Sequence, residues 1–251
     1  FQNVTQEQKN KIIQELNQEK NIYWIAEFGG KFDLAFAIMA KNIILFNEIF
    51  TKISTKYNNM LKDYTIAIRV ELTQFPRKYL INKINIKKQP YFGKIIESES
   101  LDKIDQDILK IIAENARMPA LEIAKKLNKP FSTVNSRLKQ LEKNEIIQGY
   151  STKIHCQEFG YQSYQLFLST HDLTLKKKRK LYAYCSLHPN IIFYIETVGK
   201  WNFEIIYEIE DQKAMQNAII DLRTEFSEII TDVESIIIFN HYIKYNQYPI
   251  G

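Results

Sequence analysis

Hydrophobic positions change period repeatedly along the chain, and each change marks an element. From Tyr164 to Thr170 aromatic and aliphatic residues run together, as in a strand. Leu175–Leu187 has helical spacing and ends ahead of Pro189. Ile191–Thr197 and Phe203–Ile209 are apolar strands around Gly199-Lys200-Trp201-Asn202, which reads as a hairpin turn. Met215, Ala218, Ile219, Leu222 and Phe226 recur mostly at three- and four-residue steps and predict an amphipathic helix. Val233–Phe239 is a final strand. The order β-α-β-β-α-β predicts a four-stranded antiparallel sheet with two helices on one face, the ferredoxin-like arrangement. The other face still carries apolar residues, and a second sheet of the same kind is its natural cover.

The chain supplies that second sheet by repeating itself. Residues 21–33 (NIYWIAEFGGKFD) lie over 190–202 (NIIFYIETVGKWN) without a gap, and the register continues to Asp63 over Asp232. Thr5–Glu19 then reads as the first helix of this copy, and Asn21–Phe28 with Phe32–Met39 as its hairpin. Ile43–Tyr57 is the second helix and Thr65–Leu72 the last strand. A first strand is missing, an open edge would be a liability, and the chain starts at Phe1. The expectation is an N-terminally truncated fragment of a natural protein that extends further upstream.

Between the copies the pattern differs. Residues 81–100 are rich in Lys and Asn, hold Pro90 and Gly93, and read as a linker. Ile104, Ile108, Leu109, Ile111 and Ile112 form an apolar stripe behind Asp102 and Asp105. Pro119 suits the start of a short second helix carrying Leu121, Ile123, Ala124 and Leu127. Asn128-Lys129-Pro130 is a turn, and a third helix runs from about Phe131 to Lys143, burying Val134, Leu138 and Leu141. Residues 146–150 and 152–154 read as the two strands of a wing. Three short helices and a hairpin make a winged helix-turn-helix. The outer face of the third helix carries small hydrogen-bonding side chains suited to base edges in a major groove. Lys129, Arg137, Lys139 and Lys143 supply charge for phosphates.

The predicted fold class is therefore α+β: a central winged helix-turn-helix flanked by two ferredoxin-like (βαββαβ) domains, the first incomplete. The predicted domains are 1–80, the linker 81–100, the winged unit 101–160, the second repeat 161–246 and a tail 247–251. A hydrophobic fraction of 45% and a charged fraction of 25% fit an ordinary globular chain. The net charge of +5 permits nucleic-acid binding without requiring it. Cys156 and Cys185 do not make a disulfide framework, so a cytoplasmic setting is expected. With no apolar run of about 18 residues, no membrane span is expected.

Leu-Asp-Lys-Ile-Asp-Gln-Asp-Ile-Leu (101–109), Asn-Ala-Arg (115–117), Glu-Ile-Ala (122–124), Val134, Arg137-Leu138, Leu141-Glu142 and Ile146-Ile147-Gln148-Gly149-Tyr150 together resemble the Lrp/AsnC (leucine-responsive) family of transcription regulators. Gly30-Lys31-Phe32-Asp33 is similar to a hairpin of that family's sensing domain. The resemblance implies a sequence-specific regulator of double-stranded DNA, with an amino acid or another small effector as ligand. Carried over by position, it implies DNA contacts from Ser132, Thr133, Asn135, Ser136, Arg137 and Lys139. The effector would lie near Gly30, Asp33, Gly199 and Asn202. The two sensing units would pair within one chain, in a homo-oligomer, or both. Three departures stand out. Pro130 occupies a cap position where the family has Ser, Glu145 replaces a glycine before the wing, and Asn202 replaces the Asp.

Other features weigh less. Lys176-Lys177-Lys178-Arg179-Lys180 reads as the wet face of a helix, with compensation expected for so much charge at a helix start. His155, Cys156, Cys185 and His188 lack the spacing of a closed zinc site, His171 and His241 are lone histidines, and no metal or cofactor is predicted. Trp24 and Trp201 read as sheet packing. Gln89–Gly93 and Gln247–Gly251 echo each other and could cover the sheets. No phosphate loop or nucleophile triad appears, so an enzyme is not expected. The enzymatic alternative is a tetrapyrrole pocket like that of the sirohaem decarboxylases, for which Arg69, Arg77 and His241 are the loose candidates. A pure assembly module is the remaining reading, and the polar face of the third helix argues against it.

Overall fold

The computed structural model describes residues 1–2, 4–81, 91–93, 101–150, 152 and 154–243. In the second repeat, β5 (Gln162–Thr170), α6 (Leu175–Leu187), β6 (Ile191–Gly199), β7 (Phe203–Ile209), α7 (Gln212–Glu225) and β8 (Ile230–Ile243) follow the predicted order. Their strands lie side by side as β8-β5-β7-β6, all antiparallel. Alternation along β7 explains its place at the centre. Phe203, Ile205, Tyr207 and Ile209 enter the core beneath α6 and α7, with Leu166, Leu168, Leu181 and Leu222. Glu204, Ile206 and Glu208 point to the other face and are buried there as well.

The first repeat supplies α1 (Gln6–Gln18), β1 (Ile22–Gly29), β2 (Leu34–Ile38), α2 (Ile43–Lys56) and β3 (Ala67–Gln74). Thr5 caps α1: the Gln8 amide donates to Thr5 Oγ1 at 3.3 Å, and the Thr5 amide donates to Gln8 Oε1 at 2.8 Å. Sequence patterning predicts two stacked sheets, whereas the structure joins all strands in one. The order is β2-β1-β8-β5-β7-β6-β3-β4, where β4 is the short Tyr91–Phe92. Thus β1 pairs with β8, and β3 leaves its own repeat to pair with β6. The sheet curls until its first and last parts meet, so the Arg69 guanidinium on β3 lies 4.7 Å from the Trp24 ring on β1. Trp24, Ala26, Phe28, Phe167, Trp201, Ile206, Ile236 and Ile238 fill the interior. Both tryptophans are therefore packing residues. Their indole nitrogens donate to His241 Nδ1 and Glu204 Oε1.

Within this interior Arg69 Nη2 reaches Glu204 Oε2 at 2.8 Å. Burial opposes the charge on Arg69, but Glu204 and the Tyr23 hydroxyl outweigh it and raise its pKa above the ordinary value. After β3 the chain stays on the second repeat: Phe75 donates its amide to Ile192 O and packs in the core with Tyr182, and Arg77 forks onto Glu208. The predicted linker thus includes a strand, since Tyr91 and Phe92 pair with Thr73 and Leu72. The rest of the Gln89–Gly93 echo, and the tail with which it was matched, lie outside the described residues.

The charge at the start of α6 is compensated. Lys177 pairs with Asp172 at 2.8 Å, Lys178 with Glu196, and Lys180 with Glu225 at 2.8 Å. His188 ends the same helix. Its Nδ1 accepts from the Asn190 amide at 3.1 Å, and its ring stands edge-on to Tyr207. Burial, with Lys78 nearby, pushes its pKa below the ordinary 6.5. The unfolded chain then binds more protons than the native one just below pH 6.5. Stability is complete above that pH and falls as the pH drops toward the folded value. His188→Gln is expected to flatten this acid slope, as read by urea unfolding at several pH values. Equal slopes in parent and variant would count against it.

Candidate nucleic-acid interface

Residues 101–147 fold as a separate small core. Asp102 caps α3 (Lys103–Glu114) in a reciprocal box with Asp105, whose amide donates to Asp102 Oδ1 at 2.9 Å. Pro119 sits at the N-cap of α4 (Ala120–Leu127), one position before the predicted helix start. Asn128 ends α4 in the left-handed region, at φ 50°, and the Lys129 amide returns to Ala124 O at 3.0 Å. The chain thereby turns sharply into α5 (Phe131–Lys143). Ile108, Leu109, Ile123, Ala124, Val134, Leu141 and Ile147 form the shared core.

Burying Val134 and Leu141 fixes what α5 shows outside. Ser132, Ser136 and Lys139 are exposed and Asn135 is half-exposed, and they form one outward row that continues to Lys143. Thr133 and Arg137 lie one turn apart on a flank. Arg137 is the exception among the predicted contacts: its Nη1 reaches Asp102 Oδ2 at 2.8 Å and Asp105 Oδ2 at 3.0 Å. Its guanidinium ties α5 to the capping box of α3 rather than reaching outward. The backbone hydrogen bond of Asp105 and the charge of Arg137 hold the Asp102 carboxyl below its usual pKa.

Pro130 offers no side-chain cap, so the first turn of α5 keeps amide donors for an outside acceptor. A cleft of about 390 Å³ lies beside that turn, lined by Leu121, Ala124, Lys125, Asn128, Lys129, Pro130 and Phe131. Lys125 and Lys129 are exposed there, and Lys126 is exposed on the same last turn of α4. The pattern reading missed Lys125 and Lys126, although their place in the last turn of α4 was the available signal.

The wing is a correction. Among the described residues none between 145 and 155 is in a strand. Glu145, where a glycine was the family expectation, takes φ 60°. Tyr150 donates to Glu142 Oε1 at 3.2 Å and Gln148 Oε1 accepts from the Tyr91 amide at 2.8 Å. These contacts hold the segment against α5 and β4. Residues 151 and 153, in the predicted second wing strand, lie outside the described residues.

The predicted effector residues come from two hairpin ends that meet inside the curled sheet. Phe32 contacts Trp201 with ring centroids 6.2 Å apart, and both contact Phe167. Gly30 and Gly199 take φ of 138° and 153°, which glycine permits. Asp33 and Asn202 are occupied in equivalent ways. Asp33 Oδ2 accepts from the Phe1 amino group at 2.7 Å, and Asn202 Oδ1 accepts from the Thr170 amide at 2.7 Å. The candidates for a tetrapyrrole pocket are also engaged, Arg69 with Glu204, Arg77 with Glu208, and His241 with Trp24. Among the described residues no cluster of His, Cys, Asp and Glu could hold a metal ion, and no helix is long and apolar enough to cross a membrane.

Comparison with known proteins agrees with this geometry. A family model described as winged helix-turn-helix DNA-binding matches residues 101–148. An uncharacterized HTH-type transcriptional regulator of Pyrococcus furiosus is 39% identical over 62 residues, 25% of this chain and 42% of that protein. The HTH-type transcriptional regulator LrpA of Pyrococcus horikoshii is 43% identical over 61 residues, 24% of this chain and 43% of that protein. These matches span under half the length of the relatives. Among solved structures, the Leucine response regulatory protein LrpA of Mycobacterium tuberculosis superposes with a TM-score of 0.50 at 21% identity, covering 59% of this chain and 99% of that one. A transcriptional regulator of Neisseria meningitidis in complex with L-Met gives 0.51 at 20% identity, covering 56% and 91%. Residues 101–148 are therefore a winged helix-turn-helix unit. In sequence this unit is similar to that of the LrpA regulator, and the chain shares the fold of these Lrp-type structures.

Proposed function

We propose that this chain is a sequence-specific regulator of transcription that inserts α5 into the major groove of double-stranded DNA. One observation carries the reading: the outward row of Ser132, Asn135, Ser136 and Lys139, held by a helix whose opposite face is locked in a small core. Thr133 adds a hydroxyl on the flank, and Phe131, 48% exposed at the first turn, offers an apolar edge to a thymine methyl. The lysines beside the α4–α5 turn and the uncapped amides meet phosphates. Arg137 serves the fold of the unit in this reading, not base contact.

The curled sheet is a tandem pair of ferredoxin-like sensing units, the first incomplete, joined within one polypeptide. Its hairpins around Gly30–Asp33 and Gly199–Asn202 are the side at which a small effector, an amino acid in the first instance, acts. Support comes from their meeting at Phe32 and Trp201 and from the L-Met complex of the Neisseria regulator. No reaction is needed for this function.

Fluorescence anisotropy with a labelled duplex pool tests it. Affinity is expected to fall log-linearly with salt, at about 0.9 per phosphate neutralised, as counterions are released. A sequence selected from the pool should outcompete bulk DNA. No duplex affinity at low ionic strength would sink the reading.

A further inference from the structure

The two repeats pair through aromatic and aliphatic surface on both sides, and that surface alone does not say which repeat should meet which. Phe32 in the first corresponds to Trp201 in the second, and Trp24 corresponds to Phe193. The buried charges are different. Arg69 on β3 donates from Nε and Nη2 to Glu204 Oε2 on β7, at 3.2 and 2.8 Å, and the side chains are 17% and 4% exposed. Arg77 forks onto Glu208 at 2.7 and 2.8 Å, and the Tyr79 hydroxyl donates to the same carboxylate. Both arginines belong to the first repeat and both glutamates to the second.

At the corresponding positions the roles are not repeated. Glu204 and Glu208 correspond to Ala35 and Met39 in the first repeat. Arg69 corresponds to Ile238 in the second, which faces Phe28 as Arg69 faces Thr197. Two second repeats facing each other would bury Glu204 opposite Ile238, with no cation there. Two first repeats would bury their guanidiniums with no anion. An unpaired buried charge costs far more than a mismatched apolar contact, so specificity resides in these pairs.

We infer that the Arg69–Glu204 and Arg77–Glu208 pairs form a pairing code, by which a second repeat accepts only a first repeat as partner, from its own chain or from another copy, and rejects a copy of itself. The inference is independent of DNA binding.

Arg77–Glu208 is the pair to invert. The Tyr79 hydroxyl can turn and accept from a cation, whereas Glu204 also takes the Trp201 indole N–H, which cannot. An Arg77→Glu chain and a Glu208→Arg chain each set like charges face to face within themselves. If the two chains exchange repeats, the carboxylate introduced at position 77 of one meets the guanidinium introduced at position 208 of the other, and the remaining pair is native. The chains, one isotope-labelled, are refolded together at equal concentration and weighed by native mass spectrometry. Mixed dimers are expected to exceed each kind of like dimer at least tenfold, against twofold for random exchange. A single chain carrying both substitutions is expected to regain the parent's melting temperature and remain unexchanged. Mixed dimers at the random ratio or absent, or a doubly inverted chain that melts with the single variants, would overturn the code.

Discussion

Phe203→Ala is expected to cost about 3–5 kcal/mol of folding stability, among the largest losses of any single truncation in this chain. Phe203 is fully buried on the central strand β7, beneath α6 and α7, with its ring 5.4 Å from that of Tyr194. Neighbouring strands on both sides fix the backbone, so the site cannot collapse to fill the space left behind. Urea unfolding followed by circular dichroism reads the change as a shift of the midpoint at constant slope. A loss below about 1 kcal/mol would mean that this core is loosely packed, against the geometry described.

Lys139→Glu is expected to weaken duplex binding roughly tenfold to a hundredfold at low salt and to reduce the salt slope, because a phosphate contact becomes a repulsion. Lys139 is exposed on the outward row of α5, so the variant's melting temperature should match the parent's. Anisotropy titration of the folded variant separates the two effects. Undiminished affinity would move the DNA surface away from α5.

How far the sequence could be read depended on the range of the interactions involved. Where an element is set by its own residues, the reading and the structure coincide. α5 spans Phe131–Lys143, α6 spans Leu175–Leu187 and β7 spans Phe203–Ile209, all as their periodicity predicts. Where a distant partner decides, they part. β8 reads as Val233–Phe239 but runs Ile230–Ile243, because its polar end, Asn240 and His241, pairs with Glu27 and Ala26 of β1. The two repeats read as two layers, because edge pairing between β3 and β6 leaves no local trace.

The candidate site divides in the same way. The outward row of α5 follows from helical spacing alone. Arg137 reads as a DNA contact, and only the fold brings it to Asp102 and Asp105. The first wing strand, read over 146–150, is absent among the described residues, where Gln148 accepts from the Tyr91 amide of the connector, a partner no motif announces. Glu204 and Glu208 went unremarked, although two acids on one face of an otherwise apolar strand are a legible sign of buried pairing.

The β1–β8 ladder also shapes how the chain assembles. It joins Ala26 to His241, so almost the whole polypeptide must be gathered before that ladder can close. The three helices between residues 103 and 143 close only short loops and can collapse on their own. Kinetically, the helix-turn-helix unit matures early, and the sheet that unites the repeats is completed last.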